Sequence, residues 1–293
     1  FTAQAIGDIY FNGTINTSTA VDKDVLFKAT NSIVFGTNQS TLTNGGDVVL
    51  WADSDASGAG SISLGNGVLF NTINGSTVSG LSGGGDIILA GGADTDADGQ
   101  PDGIAFGVIR LSGVALGTST SSNIKFYSGG GDIIIRGSSD SYFGTYYTMM
   151  GVAQYGKFLA DAGTGAIDIS GSSVNSYGIN FVYQDNNVNS YDDHLVLRSA
   201  KTSGTAISIS GTSSSSYGVV FNYQHPKKIL ATGGGAISIT GDGVGSYGVF
   251  MENADILASS GDISINGNEG ITIADLGLEI GAISGSAEVP TSS

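Results

Sequence analysis

Ala206-Ile207-Ser208-Ile209-Ser210-Gly211, followed by Ser216-Tyr217-Gly218-Val219-Val220-Phe221 and then Lys228-Ile229-Leu230, is the stretch that decides the fold. Its first segment alternates, so Ile207 and Ile209 share one face and Ser208 and Ser210 the other, the pattern of a half-buried strand. The same order precedes it as Ala166-Ile167-Asp168-Ile169-Ser170-Gly171, Ser176-Tyr177-Gly178-Ile179-Asn180-Phe181 and Leu195-Val196-Leu197. It follows as Ala236-Ile237-Ser238-Ile239-Thr240-Gly241, Ser246-Tyr247-Gly248-Val249-Phe250-Met251 and Asp255-Ile256-Leu257. Three strand-like segments per module, separated by Gly, Ser and Asn turns, make one turn of a triangular coil.

Working outward, a Gly-Asp-Ile or Ala-Ile marker recurs at Gly7-Asp8-Ile9, Gly46-Asp47-Val48, Gly85-Asp86-Ile87, Gly131-Asp132-Ile133, Gly165-Ala166-Ile167, Thr205-Ala206-Ile207, Gly235-Ala236-Ile237 and Gly261-Asp262-Ile263. A ninth stands at Gly281-Ala282-Ile283. From Asp8 to Asp262 the spacing averages about 36 residues, which suits three short strands and three loops of variable length. Internal repeats of this period mean a stacked architecture whose units have no core of their own. The reading is an all-β, single-stranded parallel β-helix with three strands per coil and eight or nine coils. Parallel crossovers favour the right-handed form. With coils about 4.8 Å apart the rod is roughly 40 Å long. Residues 1–285 are expected to form one solenoid domain, and 286–293, with Pro290, a linker or frayed tail.

Composition agrees. The chain has 48 glycines, three prolines and 40 % hydrophobic residues, enough apolar material for a core and too much for a disordered segment. Against 10 basic residues stand 26 acidic ones, a net charge of −16 that opposes nucleic acid and anionic membranes and favours cations. No stretch approaches the ~20 apolar residues that span a bilayer. The start at Phe1 reads as a mature or internal piece of something longer. Cysteine is absent, which excludes disulfides and thiolate metal sites and is compatible with export.

The strongest chemical signal is Asp94-Thr95-Asp96-Ala97-Asp98-Gly99-Gln100-Pro101-Asp102-Gly103. Carboxylates at positions 1, 3, 5 and 9 around a glycine at 6 can converge on one hard cation, and Ca²⁺ is the expected ligand of Asp94, Asp96, Asp98 and Asp102. Its spacing resembles thrombospondin type 3 calcium loops, with Ala105 where a bidentate Glu is expected. A solvated acidic loop is the competing reading. A shorter relative, Asp53-Ser54-Asp55-Ala56-Ser57-Gly58, brings only Asp53 and Asp55. The markers' Asp47, Asp86 and Asp132 should stack at one corner, capping turn N–H groups rather than holding ions.

Tyr177, Tyr217 and Tyr247 fall in register, as do Tyr183 and Tyr223. Such rows either grip a glycan or partner or form an internal or corner ladder. The parity of Tyr217 with Val219 and Phe221 favours the ladder. Two neighbouring loops gather Asp192, Asp193, His194, His225, Lys227 and Lys228, groups that acid–base chemistry on a polysaccharide would need. Loop charges of this kind are usually solvated surface, and no hydrolase, metalloprotease or phosphate-binding motif accompanies them. No enzyme is expected. Sequons at Asn12, Asn16, Asn38 and Asn74 give weak support for a glycosylated surface.

Leu42-Thr43-Asn44-Gly45-Gly46-Asp47-Val48-Val49-Leu50-Trp51-Ala52-Asp53-Ser54-Asp55 together with Gly60-Ser61-Ile62-Ser63-Leu64 resembles filamentous haemagglutinin-type exoproteins of two-partner secretion. The resemblance implies a secreted bacterial β-helical stalk that works in adhesion or cell contact. The Asn-Pro-Asn-Gly signature of that family's secretion domain is absent, so the chain would correspond to a shaft segment. The expected function is the shaft of an extracellular or cell-surface adhesin or fibre, stabilised by calcium, whose partner is a cell surface or an extracellular glycan. The alternatives are a self-assembling layer, sheath or filament subunit stacking through coil ends, and a β-helical polysaccharide lyase or glycosidase.

Overall fold

The computed structural model describes residues 1–74, 83–107, 112–119, 122–140, 150–182, 194–222, 226–274 and 279–282. Its twenty-eight described strands form three parallel sheets, and each turn of the chain contributes a strand to each sheet. The first sheet runs from Thr2–Ala5 through Val25–Ala29, Val48–Ala52, Ile87–Gly91, Ile133–Ser139, Ile167–Ser173, Thr205–Ser213 and Ala236–Gly243 to Ile263–Gly267. The second runs from Ile9–Phe11 to Ile271–Ala274 and the third from Thr14–Asn16 to Glu279–Ala282, nine strands each. Ala105–Gly107 is an extra strand beside the end of Ile133–Ser139. The fold is a parallel β-helix of nine coils.

Stacking in register turns the alternation into columns that run the length of the rod. Val25, Val48, Ile87, Ile133, Ile167, Ile207, Ile237 and Ile263 are successive partners in one inward column of the first sheet. Phenylalanine fills the early coils as a spine: Phe11, Phe35, Phe70, Phe126 and Phe158 follow one another with ring centroids 4.9–5.3 Å apart. Most contacts in this spine are tilted or edge-on, the arrangement aromatic quadrupoles prefer. Burial of these side chains contributes roughly 1.5–3 kcal/mol each.

The corner between third and first sheets explains the marker. At Gly131 and Gly165 a Cβ would press into the backbone of Gly85 and Gly131, respectively, one coil below. Glycine is therefore required by the closeness of two main chains. The same corner is tied from inside by hydroxyls: Thr43 Oγ1 donates to Gly46 O, Thr72 Oγ1 to Gly85 O and Ser128 Oγ to Gly131 O, each at 2.5 Å.

Two markers are assigned differently by the structure. Gly7-Asp8 precedes Ile9–Phe11 of the second sheet, not a first-sheet strand. The true corner of the second coil is Lys23-Asp24, before Val25–Ala29, so the step to Val48 is 23 residues and the glycine marker skips this coil. Gly281-Ala282 belongs to the last strand of the third sheet, paired with Leu257 and Ala258.

Candidate functional site

The acidic loop leaves the first sheet after Ile87–Gly91 and returns at Ala105–Gly107. It is pinned at both ends to the outer face of that sheet. Trp51 Nε1 donates to Gly92 O at 2.7 Å, and Arg136 Nη1 donates to Asp102 O at 3.4 Å while Nη2 lies 3.7 Å from the Asp168 carboxylate. Trp51 faces outward yet is buried, clustered with Val49, Ile88 and Ala90, and the Lys28 ammonium sits 3.3 Å from its ring centroid.

Within the loop, Asp94, Asp96 and Asp102 each bring a carboxylate oxygen to within 4.8 Å of the others. Oxygens about 2.4 Å from a shared Ca²⁺ lie within that separation, so the three fit a hard cation. Asp98 is not in this group; its Oδ1 accepts Gln100 N–H at 2.8 Å. The loop is shaped by carboxylate turns: Asp94 accepts from Ala97 N (2.7 Å) and Gly99 N (3.0 Å), and Asp102 from Thr95 N (2.6 Å) and Thr95 Oγ1 (2.5 Å). The Thr95 hydroxyl and N–H hold the Asp102 carboxyl below its ordinary value.

Asp53 is buried, and its carboxylate accepts Ser57 Oγ, Gly58 N and Ala59 N at 3.1–3.2 Å. Asp55 accepts Ser57 N at 3.3 Å. Those donors already use the oxygens of Asp53, a turn cap turned away from solvent.

The corner aspartates form a ladder. Asp47 N–H donates to Asp24 Oδ1 at 3.0 Å, Asp86 N–H to Asp47 Oδ1 at 2.7 Å, Asp132 N–H to Asp86 Oδ1 at 2.7 Å and Ala166 N–H to Asp132 Oδ1 at 2.7 Å. Each carboxylate thus caps the next coil. Burial raises the Asp47 and Asp86 carboxyls above their ordinary value, opposed by the hydrogen bond from the next coil and reinforced by the neighbouring carboxylates.

The tyrosines make an outer corner ladder, Tyr177 to Tyr217 at 5.7 Å and Tyr217 to Tyr247 at 6.2 Å between centroids. Tyr247 is 45 % exposed and the other two are half-buried. The parity with Val219 does not carry them inward because a turn separates Tyr217 from the strand Val219–Asn222. The rings are tilted against one another, with Phe250 edge-on to Tyr217. Tyr183 and Tyr223 lie outside the described residues, as do Asp192, Asp193 and His225.

Two of the remaining loop residues are inside the rod. His194 and Lys227 are almost fully buried. Lys227 shares parity with Ile229 and Ala231, in a column with Leu195 and Ala254. Its ammonium donates to Glu252 O at 3.3 Å, and burial pushes its pKa down to about 8 against the pull of the Glu252 carboxylate. That parity is readable in the sequence. Gln154 is a second inward polar group, its Nε2 donating to His194 O at 3.2 Å. No protein-family model, curated protein or solved structure matches this chain.

Proposed function

We propose that the chain is a structural rod, a shaft segment of a secreted or cell-surface adhesin or fibre of the filamentous haemagglutinin kind, with Ca²⁺ held by Asp94, Asp96 and Asp102. The observation that carries this reading is the interior: one column of Val and Ile continues through eight successive coils, and the coils differ in their loops while their strands superimpose. Such a body transmits length and stiffness. Two shallow surface hollows, of about 250 and 180 Å³, are lined by Gln4, Lys28 and Thr30 and by Ser170, Ser210 and Thr212, and neither includes a carboxylate. Small-angle scattering should give a rod of constant cross-section, and a broad panel of glycans should be left intact. Release of reducing or unsaturated sugar would overturn the structural reading.

Calcium has its own test in calorimetry. Ca²⁺ should raise the melting temperature of the parent and leave Asp96→Asn and Asp102→Asn unmoved, whereas a parent with no binding heat and no shift removes the ion from the proposal. A specific observation also favours assembly through coil ends as a second reading. The last described coil leaves Ile271, Ile273 and Ile280 exposed by 41, 50 and 44 %, and a further coil, from the same chain or a second copy, would cover them. Sedimentation that changes with concentration would distinguish the second copy.

A further inference from the structure

The sequons headed by Asn12, Asn16 and Asn38 lie wholly within the described residues, and the structure sets them apart. All three asparagines are exposed, Asn12 and Asn38 in the turns before third-sheet strands and Asn16 at the end of the strand Thr14–Asn16. Thr14 and Ser40, the hydroxyl residues of the first and third sequons, are partners in register, and Ser40 Oγ donates to Thr14 Oγ1 at 3.3 Å. Those hydroxyls pair with each other, while Asn12 Oδ1 and Asn38 Oδ1 lie against Gly36 and Gly67 of the next coil. Asn16 is arranged differently. Ser18 donates to Asn16 Oδ1 twice, from its N–H at 3.0 Å and from its hydroxyl at 2.5 Å. Asn16 Nδ2 carries no hydrogen bond among the described residues. The turn that follows is open to solvent at Ser18, Thr19, Val21 and Asp22, so a large enzyme can reach it.

We infer that Asn16 is the acceptor of an N-linked sugar in the folded rod, with Ser18 as its positioning residue. The step is a substitution at the anomeric carbon of a sugar that carries a diphosphate leaving group. Asn16 Nδ2 forms the new bond to that carbon and gives up one proton to a base of the transferase. The bond from the carbon to the diphosphate oxygen breaks, and the diphosphate departs with the electron pair. An amide nitrogen is a poor nucleophile, because its lone pair is shared with the carbonyl. As the Nδ2 proton leaves, negative charge collects on Oδ1, and there the two Ser18 donors already point. Donors fixed in advance where charge develops lower such a barrier. Asn12 and Asn38 have their sequon hydroxyls turned elsewhere. The attached sugar also costs the fold nothing inside. Asn16 alternates with Ile15, which packs against the core, so its side chain projects outward. The inference stands apart from the shaft reading and from the cation, since it rests on this sequon alone.

Transfer to the folded protein tests it in two arms. One supplies a soluble asparagine glycosyltransferase with uridine diphosphate glucose, the other a membrane oligosaccharyltransferase with a polyprenyl-diphosphate oligosaccharide, and together they distinguish the two sources of donor. Peptide mass mapping should place the sugar on Asn16 in one arm or both, roughly tenfold or more ahead of Asn12 and Asn38. Asn16→Gln should abolish that product. Ser18→Thr keeps the hydroxyl and should keep the reaction, whereas Ser18→Ala should slow it about tenfold, the worth of one lost hydrogen bond. Circular dichroism and melting of each variant separate lost transfer from lost fold. No sugar on Asn16 in either arm, or a Ser18→Ala variant modified as fast as the parent, would overturn the inference. Equal labelling of all three sequons would do so too, because the sequon and not the Ser18 contact would then decide.

Discussion

The Asp86 carboxylate accepts the backbone N–H of Asp132, 46 residues later and one coil on, at 2.7 Å. The same side chain serves as hydrogen-bond acceptor and as one of a column of like charges. Those roles separate on substitution. Asp86→Asn keeps an acceptor oxygen and removes the charge, so at pH 7 it should stabilise the rod by about 0.5 kcal/mol, solvent screening of this half-exposed group included. Asp86→Ala leaves the Asp132 N–H without its partner and should cost about 1–3 kcal/mol. Chemical denaturation of both variants checks the pair.

The pH dependence of the parent follows in sign. With the Asp47 and Asp86 carboxyls raised in the fold, the folded chain holds protons that the unfolded chain has released. Their contribution is therefore present at acid pH and lost as pH rises from the ordinary carboxyl value of 3.8 through the raised one. Asp86→Asn should flatten that part of the stability profile. An unchanged profile would show that the ladder's charge is already neutralised.

Lys227 gives the opposite slope at alkaline pH. Its amine has a pKa of about 8 in the fold against 10.5 when unfolded, so the unfolded chain binds the extra proton between these values and stability should climb. Burial pushes the Tyr155 phenol up to about 12, so it acts the other way only above pH 10. Melting between pH 8 and 10 isolates the lysine. Lys227→Met should remove the climb and stabilise the rod at pH 7 by up to ~3 kcal/mol.

Thr41 occupies an inward position between Ile15 and Phe70, and its Oγ1 is buried with no hydrogen-bond partner among the described residues. Thr41→Val keeps the branched shape and discards the stranded hydroxyl. It should raise stability by about 1 kcal/mol, measured by urea titration.

At the corner, Gly131→Ala should be severe, at about 3 kcal/mol or more, because the new methyl enters the Gly85 backbone. Gly245→Ala meets open space, and its φ of +73° limits the cost to about 1–2 kcal/mol. Guanidinium denaturation should separate the two substitutions clearly.

Much of this architecture was legible from alternation alone. Ile207 and Ile209 against Ser208 and Ser210 assign a face and a period, and stacking multiplies that one choice through every coil. The second coil shows where the marker fails: Lys23-Asp24 carries no glycine, so the motif vanishes although the ladder passes through. The tyrosine ladder was readable from register, while its place at a corner rather than inside follows from the turn that separates Tyr217 from Val219. The gathering of Asp94, Asp96 and Asp102 was readable from spacing, while Asp98 fell outside because its own turn bond aims it at Gln100.

The aspartate ladder is also an arrow. In every rung the acceptor sits in the earlier coil and the donor in the later one. A chain that folds from its amino end therefore offers each arriving coil an acceptor already in place, whereas one folding from the other end must hold bare N–H groups open until their carboxylates arrive. Synthesis that begins at the amino end would build this rod in the direction its corner is written.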